Sequence, residues 1–147
     1  MYDTIKILHS YWAYLVLLVL VLATFNALIK FFGNKEFHAK DFRISLFTLI
    51  VSHIQLILGI IFYFVSDYFG LISELGMGEV MKNATMRSNI VEHPLTMILA
   101  IVLITIGYSK HKKKLTSKPK FKMIAIFYTL ALILILAKIP WNTWLAL

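Results

Sequence analysis

The sequence contains no cysteine. That absence excludes disulfides, iron–sulfur clusters, thiolate zinc sites and covalent c-type haem attachment. Acid is scarce as well: 7 Asp and Glu stand against 15 Lys and Arg, for a formal net charge of +8. The apolar blocks hold no carboxylate pair, and the chain carries no nucleophile–base arrangement, P-loop or dinucleotide fingerprint, so hydrolytic and nucleotide-driven chemistry has no support.

What is present is apolar. Hydrophobic residues make up 60% of the 147, where a soluble domain has roughly half. The excess falls in four blocks, which predict helices over about 7–32, 44–66, 89–109 and 122–139. Each is close to the ~20 residues a bilayer-spanning helix needs. Only helices and closed barrels satisfy their backbone polar groups in lipid, and four unbroken apolar runs exclude a barrel. The expected fold is therefore all-α: a single transmembrane domain over residues 1–147, wound as an up-down-up-down four-helix bundle with no room for a separate soluble domain. The first block is too long for a signal-peptide core and lacks a basic leader, so it reads as a true helix.

Charge assigns an orientation. Lys35, Lys40 and Arg43 follow helix one, with Lys30 at the edge, and SKHKKKLTSKPKFK (109–122) follows helix three. Short loops rich in Lys and Arg stay cytoplasmic, which places both termini and the 67–89 loop on the non-cytoplasmic side. The seven lysines of 109–122 also suit anionic headgroups, at ~1 kcal/mol each near the surface. Within the 67–89 loop, residues 72–81 read as a short amphipathic helix at the interface. Ser45, Ser52, Gly59 and Ser66 recur every seven residues in helix two, a small-residue stripe suited to close helix packing. Trp12, Trp141 and Trp144 gather with Tyr2, Tyr11 and Tyr14 as an interfacial belt, and Pro140 ends or kinks helix four.

Three histidines fall within or at the ends of apolar segments: His9, His53 and His93. An imidazole in the membrane is costly unless paired or ligated, and imidazole is the usual axial ligand of a buried b-type haem. His9 and His93 begin helices one and three on the same side, about one helical turn apart in depth, and those helices are diagonal in a sequentially wound bundle. They form the first candidate pair of haem-iron ligands. His53 lies about 10 Å deeper by the helical rise. His53 with His93 is the second option, and His53 also suits a propionate contact, a quinone headgroup or a proton relay. Arg87 and Lys138 are the candidate propionate partners, with simple snorkelling as the bland alternative. His38 and His111 read as solvated loop residues. Met77, Met81, Met86 and Met97 raise copper handling by His and Met as an alternative, without a tight repeat to support it.

The segments HS from His9, SHIQLILGIIFYFVS from Ser52, MKNATMR…VEH ending at His93, AIVLITIGYSK from Ala100 and IPW from Ile139 resemble a family of small four-span bacterial membrane proteins often labelled cytochrome b. The resemblance covers nearly the whole chain. It implies a four-helix integral protein of the bacterial inner membrane with non-covalent haem b. The first functional expectation is an electron-transfer cytochrome with quinone as its partner. The alternative is a non-catalytic accessory subunit of a larger membrane complex or a homo-oligomer.

Overall fold

The computed structural model describes residues 1–144. Four long helices carry the fold: α1 (Tyr2–Phe32), α2 (Ala39–Val65), α5 (Ala84–Lys113) and α6 (Ser117–Lys138). Two short helices, α3 (Tyr68–Leu75) and α4 (Met77–Lys82), fill the connection between α2 and α5, and a single turn, α7 (Trp141–Trp144), follows α6. Each long helix holds an apolar window sufficient to cross a bilayer. The protein is a multi-pass membrane four-helix bundle of alternating direction.

Each long helix packs on the next in sequence, and α6 closes the ring against α1. This leaves α1 diagonal to α5, and α2 diagonal to α6. The termini and the α3–α4 connection occupy one end; the basic turns 33–38 and 114–116 occupy the other. The half next to the basic turns is filled by Leu20, Ala23 and Ala27 of α1, Ala100 and Ile104 of α5, and Phe121, Ile124 and Tyr128 of α6. Tyr128 is wholly buried. Its hydroxyl crosses the bundle diagonal and donates to the Ser45 carbonyl at 2.9 Å.

The helices run past the apolar blocks into polar sequence because their ends are capped. At the start of α2, Asp41 accepts from the His38 amide (2.9 Å), Asn26 Nδ2 (2.9 Å) and Lys30 Nζ (2.6 Å). A carboxylate buried to 1% exposure would be costly alone; three donors satisfy it and tie the end of α1 to the start of α2. The buried face of α2 is small and polar: Ser45 and Thr48 return their hydroxyls to the carbonyls of Asp41 and Ile44. The seven-residue stripe therefore faces protein, where small residues let helices approach.

Three expectations are corrected. Residues 72–81 are not one interfacial helix: α3 ends at Leu75, and Gly76, at φ +84, turns the chain into α4. That backbone region is one only glycine enters readily. His111 is not a solvated loop residue. Helix α5 continues to Lys113, and His111 is fully buried, with Phe37, Phe42 and Tyr108 around it and its Nδ1 donating to the Tyr108 carbonyl. Trp144 is not a lipid-facing anchor: it is buried, and its indole N–H donates to the Ser10 carbonyl at 2.8 Å. Trp12 likewise donates to the Val51 carbonyl at 2.8 Å. Pro140 does end the fourth long helix, whose last helical residue is Lys138.

Candidate functional site

The half of the bundle nearer the termini is not filled. A cavity of ≈ 620 Å³ lies among all four long helices there, within the range of cofactor-sized pockets. The face of α1 that lines it carries Lys6, His9, Ser10, Ala13 and Val16, spacings of three and four that put them on one side of a helix. Helix α2 contributes Ser52, Gln55 and Gly59; α5 contributes His93 and Met97.

His9 and His93 meet across this space from diagonal helices. Their ring centroids are 6.3 Å apart and the ring planes stand at 84°. His93 is oriented by its Nδ1, which donates to the Lys138 carbonyl at 2.9 Å. That bond fixes the tautomer and leaves Nε2 as the free lone pair, the arrangement that metal-binding histidines use. His9 packs its Cε1 edge on Gly59: a Cβ built there would lie 3.2 Å from that atom. The glycine leaves room for the ring. His9 Nδ1 is buried without a hydrogen-bond partner.

The placement of His93 has a local cause. Residues Arg87–Glu92 form a π-helical turn immediately before it, a distortion common next to functional sites. Pro94 follows, and it has no N–H to offer the Ile90 carbonyl one turn back. Tyr63 supplies the missing donor, its hydroxyl reaching that carbonyl at 3.0 Å. The wider turn before His93 is thus held by α2 as well as by its own helix.

The other predicted residues sit elsewhere. His53 does not line the cavity; its Nδ1 donates to the Leu49 carbonyl at 2.8 Å, and Thr105 Oγ1 stands 3.4 Å from Nε2. Arg87 and Lys138 both converge on Glu92, at 3.0 and 3.4 Å, and Arg87 also donates to the Met81 carbonyl. Neither side chain lines the cavity. The cavity lining does include one lysine, Lys6, and the phenols of Tyr2 and Tyr68. Burial pushes the Tyr68 phenol above its ordinary value, with Tyr2 and Tyr63 adding to the shift, so it stays a neutral hydroxyl. Of the four methionines, Met97 alone among the lining residues faces this space.

Sequence reasoning missed Lys6, Ser52 as a lining group, and Gln55. Gln55 Nε2 donates to the His9 carbonyl at 2.8 Å, while its Oε1 and Ser52 Oγ are buried without partners. The rule that singled out His53, a polar side chain inside an apolar run, applies equally to Gln55 two positions on.

The fold and site define a class: a four-helix membrane bundle with a histidine-lined cavity that opens to the bundle surface beside Ile60, Phe64 and Leu95. No family model, curated protein or solved structure matches the chain, so its functional reading rests on the geometry of the site.

Proposed function

We propose that the protein is a membrane b-type cytochrome in which His9 and His93 would hold the iron of one haem, serving electron transfer. The observation that carries this reading is the pair itself: two imidazoles facing each other across a cavity, 6.3 Å between centroids, one with its outer nitrogen anchored on a carbonyl. That separation leaves room for one metal ion to be held by both rings, at a metal–nitrogen distance of about 2 Å. The remaining residues fit the group. The walls are largely apolar, Gly59 leaves space beside His9, and His9 Nδ1 is an orphan that a small shift or a water would satisfy.

Haem bound there supplies one-electron redox chemistry, while the protein sets ligands, burial and orientation. His93 would bind through Nε2, its Nδ1 being engaged by the Lys138 carbonyl, and His9 would supply the second imidazole. The Lys138 carbonyl holds His93 in register, and Tyr63 stabilises the turn that presents it. Lys6, a cation among the lining residues, would suit a haem's carboxylates. Arg87 and Lys138 serve instead as the clamp on Glu92 beside His93. With the basic turns held in the cytoplasm, the cavity and both termini lie on the opposite side of a bacterial inner membrane.

One observation favours a second reading: Met97 shares the cavity with both histidines, and thioether with imidazole suits Cu(I). The optical spectrum and metal content of the detergent-purified protein separate the two. A Soret band with one iron per chain supports the cytochrome, copper without a Soret band supports metal handling, and a colourless metal-free protein that takes up neither discards both in favour of an accessory subunit.

A further inference from the structure

At the opposite end of the bundle a second space, of ≈ 370 Å³, is lined by Phe31, Lys114, Lys118, Pro119, Lys122 and Met123. Three of its six lining residues are lysines and none is acidic. Lys118 and Lys122 are one turn apart on α6, and Lys114 caps the preceding helix. Like charges spaced four apart on a helix destabilise one another, so Lys118 and Lys122 would be stabilised by an anion beside them; all three lysines are exposed, and the groove itself is lined mainly by apolar atoms. Among the described residues no carboxylate pairs with any of the three.

The rest of the basic run does not share the groove. Lys120 turns away to the His111 carbonyl and lies over the Phe37 ring, and Lys112 lies over Tyr108. Lys118 is positioned in advance: its Nζ donates to Asn34 Oδ1 at 3.0 Å and stands 5.2 Å above the Phe31 ring. An ammonium has three donors, so it keeps hydrogen-bonding capacity for a ligand.

The groove sits where α1 and α6 pass from apolar to polar sequence. Phe32 and Leu115, highly exposed at 75% and 96%, mark that level. Phe31, Pro119 and Met123 give the groove apolar walls beneath its charged rim. A soluble anion needs the rim alone; a molecule with a phosphate head and a hydrocarbon body matches both parts. We infer that this groove is a binding site for one anionic phospholipid, its phosphate held by Lys114, Lys118 and Lys122.

The test is native mass spectrometry of the full chain in detergent, titrated with phosphatidylglycerol and, for comparison, phosphatidylcholine. At about fivefold per lysine near a headgroup, removing three charges weakens binding on the order of 100-fold. One phosphatidylglycerol should be retained by the wild type, lost to that extent in the Lys114→Gln, Lys118→Gln, Lys122→Gln triple variant, and kept when the same three positions become Arg. A second triple variant, with Gln at Lys110, Lys112 and Lys113, removes equal charge outside the groove and should bind within a few-fold of wild type. Equal loss in the two Gln variants would overturn the site in favour of diffuse attraction. Equal retention of phosphatidylcholine, or displacement of the lipid by millimolar glycerol 3-phosphate, would overturn its assignment to an anionic lipid.

Discussion

The two halves of the bundle solve the same problem in opposite ways. Each must span the distance between diagonal helices and each uses aromatic nitrogen or oxygen side chains to do so. In the half near the basic turns, Tyr128 reaches from α6 to the Ser45 carbonyl of α2, and Leu20, Ile104 and Phe121 fill the space around it. Asp41 is buried there with three donors. In the half near the termini, His9 and His93 face each other along the other diagonal with no hydrogen bond between them, beside Ser52 Oγ and Gln55 Oε1 that also lack partners. Buried polar groups are ordinarily satisfied, and those that are not call for an explanation. On the proposed reading, the packed half carries stability and the open half carries binding. Unpartnered buried atoms are equally numerous on the stable side, where Thr24 Oγ1, Thr129 Oγ1 and His111 Nε2 are the three; what separates the halves is that the histidine pair borders open space.

Substitutions should separate along that line. The largest effect is expected at the histidine pair. Losing even an outer-sphere partner of a metal ligand costs about 10–100-fold in affinity, so His9→Ala and His93→Ala should each weaken haem binding by more than ~100-fold. In the haem-free proteins the unfolding free energies should stay within about 1 kcal/mol of wild type, because both rings border a cavity; spectroscopic titration and unfolding of the haem-free proteins in detergent measure the two quantities separately. Next comes Asp41→Ala, which strands Lys30 and removes the acceptor for Asn26 and the His38 amide. Breaking a buried pair costs about 3–5 kcal/mol; since Lys30 keeps some exposure, about 2–3 kcal/mol is expected, with the haem spectrum unaltered.

Gly107→Ala tests the packing of the stable half. The added Cβ would lie 2.5 Å from Phe127 Cβ, so α5 and α6 must move apart, at about 1–3 kcal/mol. The same unfolding assay reads it, and an unchanged stability would show that this helix seam is looser than its geometry implies. The smallest effect is expected at His53→Ala: loss of a local hydrogen bond, about 1 kcal/mol or less, and an unperturbed absorption spectrum. A lost Soret band in that variant would blur the boundary between the two halves.

Much of the architecture was legible in the sequence because membrane spans need only length and apolarity. The four helices, their alternation and the diagonal relation of helices one and three all follow from four long blocks joined by short basic turns. Helix ends were less legible. The polar stretches at 39–43 and 110–113 look like loops by hydropathy, yet the Asp41 cap extends α2 and a basic last turn continues α5 to Lys113, burying His111. Depth counting brought His9 and His93 to one level and kept His53 away from them. It did not reach Lys6 or Gln55, since which face of a helix lines a cavity depends on packing against three neighbours. Nor did it foresee Glu92 holding both Arg87 and Lys138, because the π-helical turn that aligns them leaves no mark in hydrophobic spacing.

The most direct measurement is haem stoichiometry with ligand-state spectroscopy on the purified wild type beside His9→Ala, His93→Ala and His53→Ala. The account predicts one low-spin haem per chain in the wild type and in His53→Ala, and its loss in each of the other two. A wild-type protein that takes up no haem, or one whose low-spin spectrum survives replacement of either His9 or His93, would contradict it.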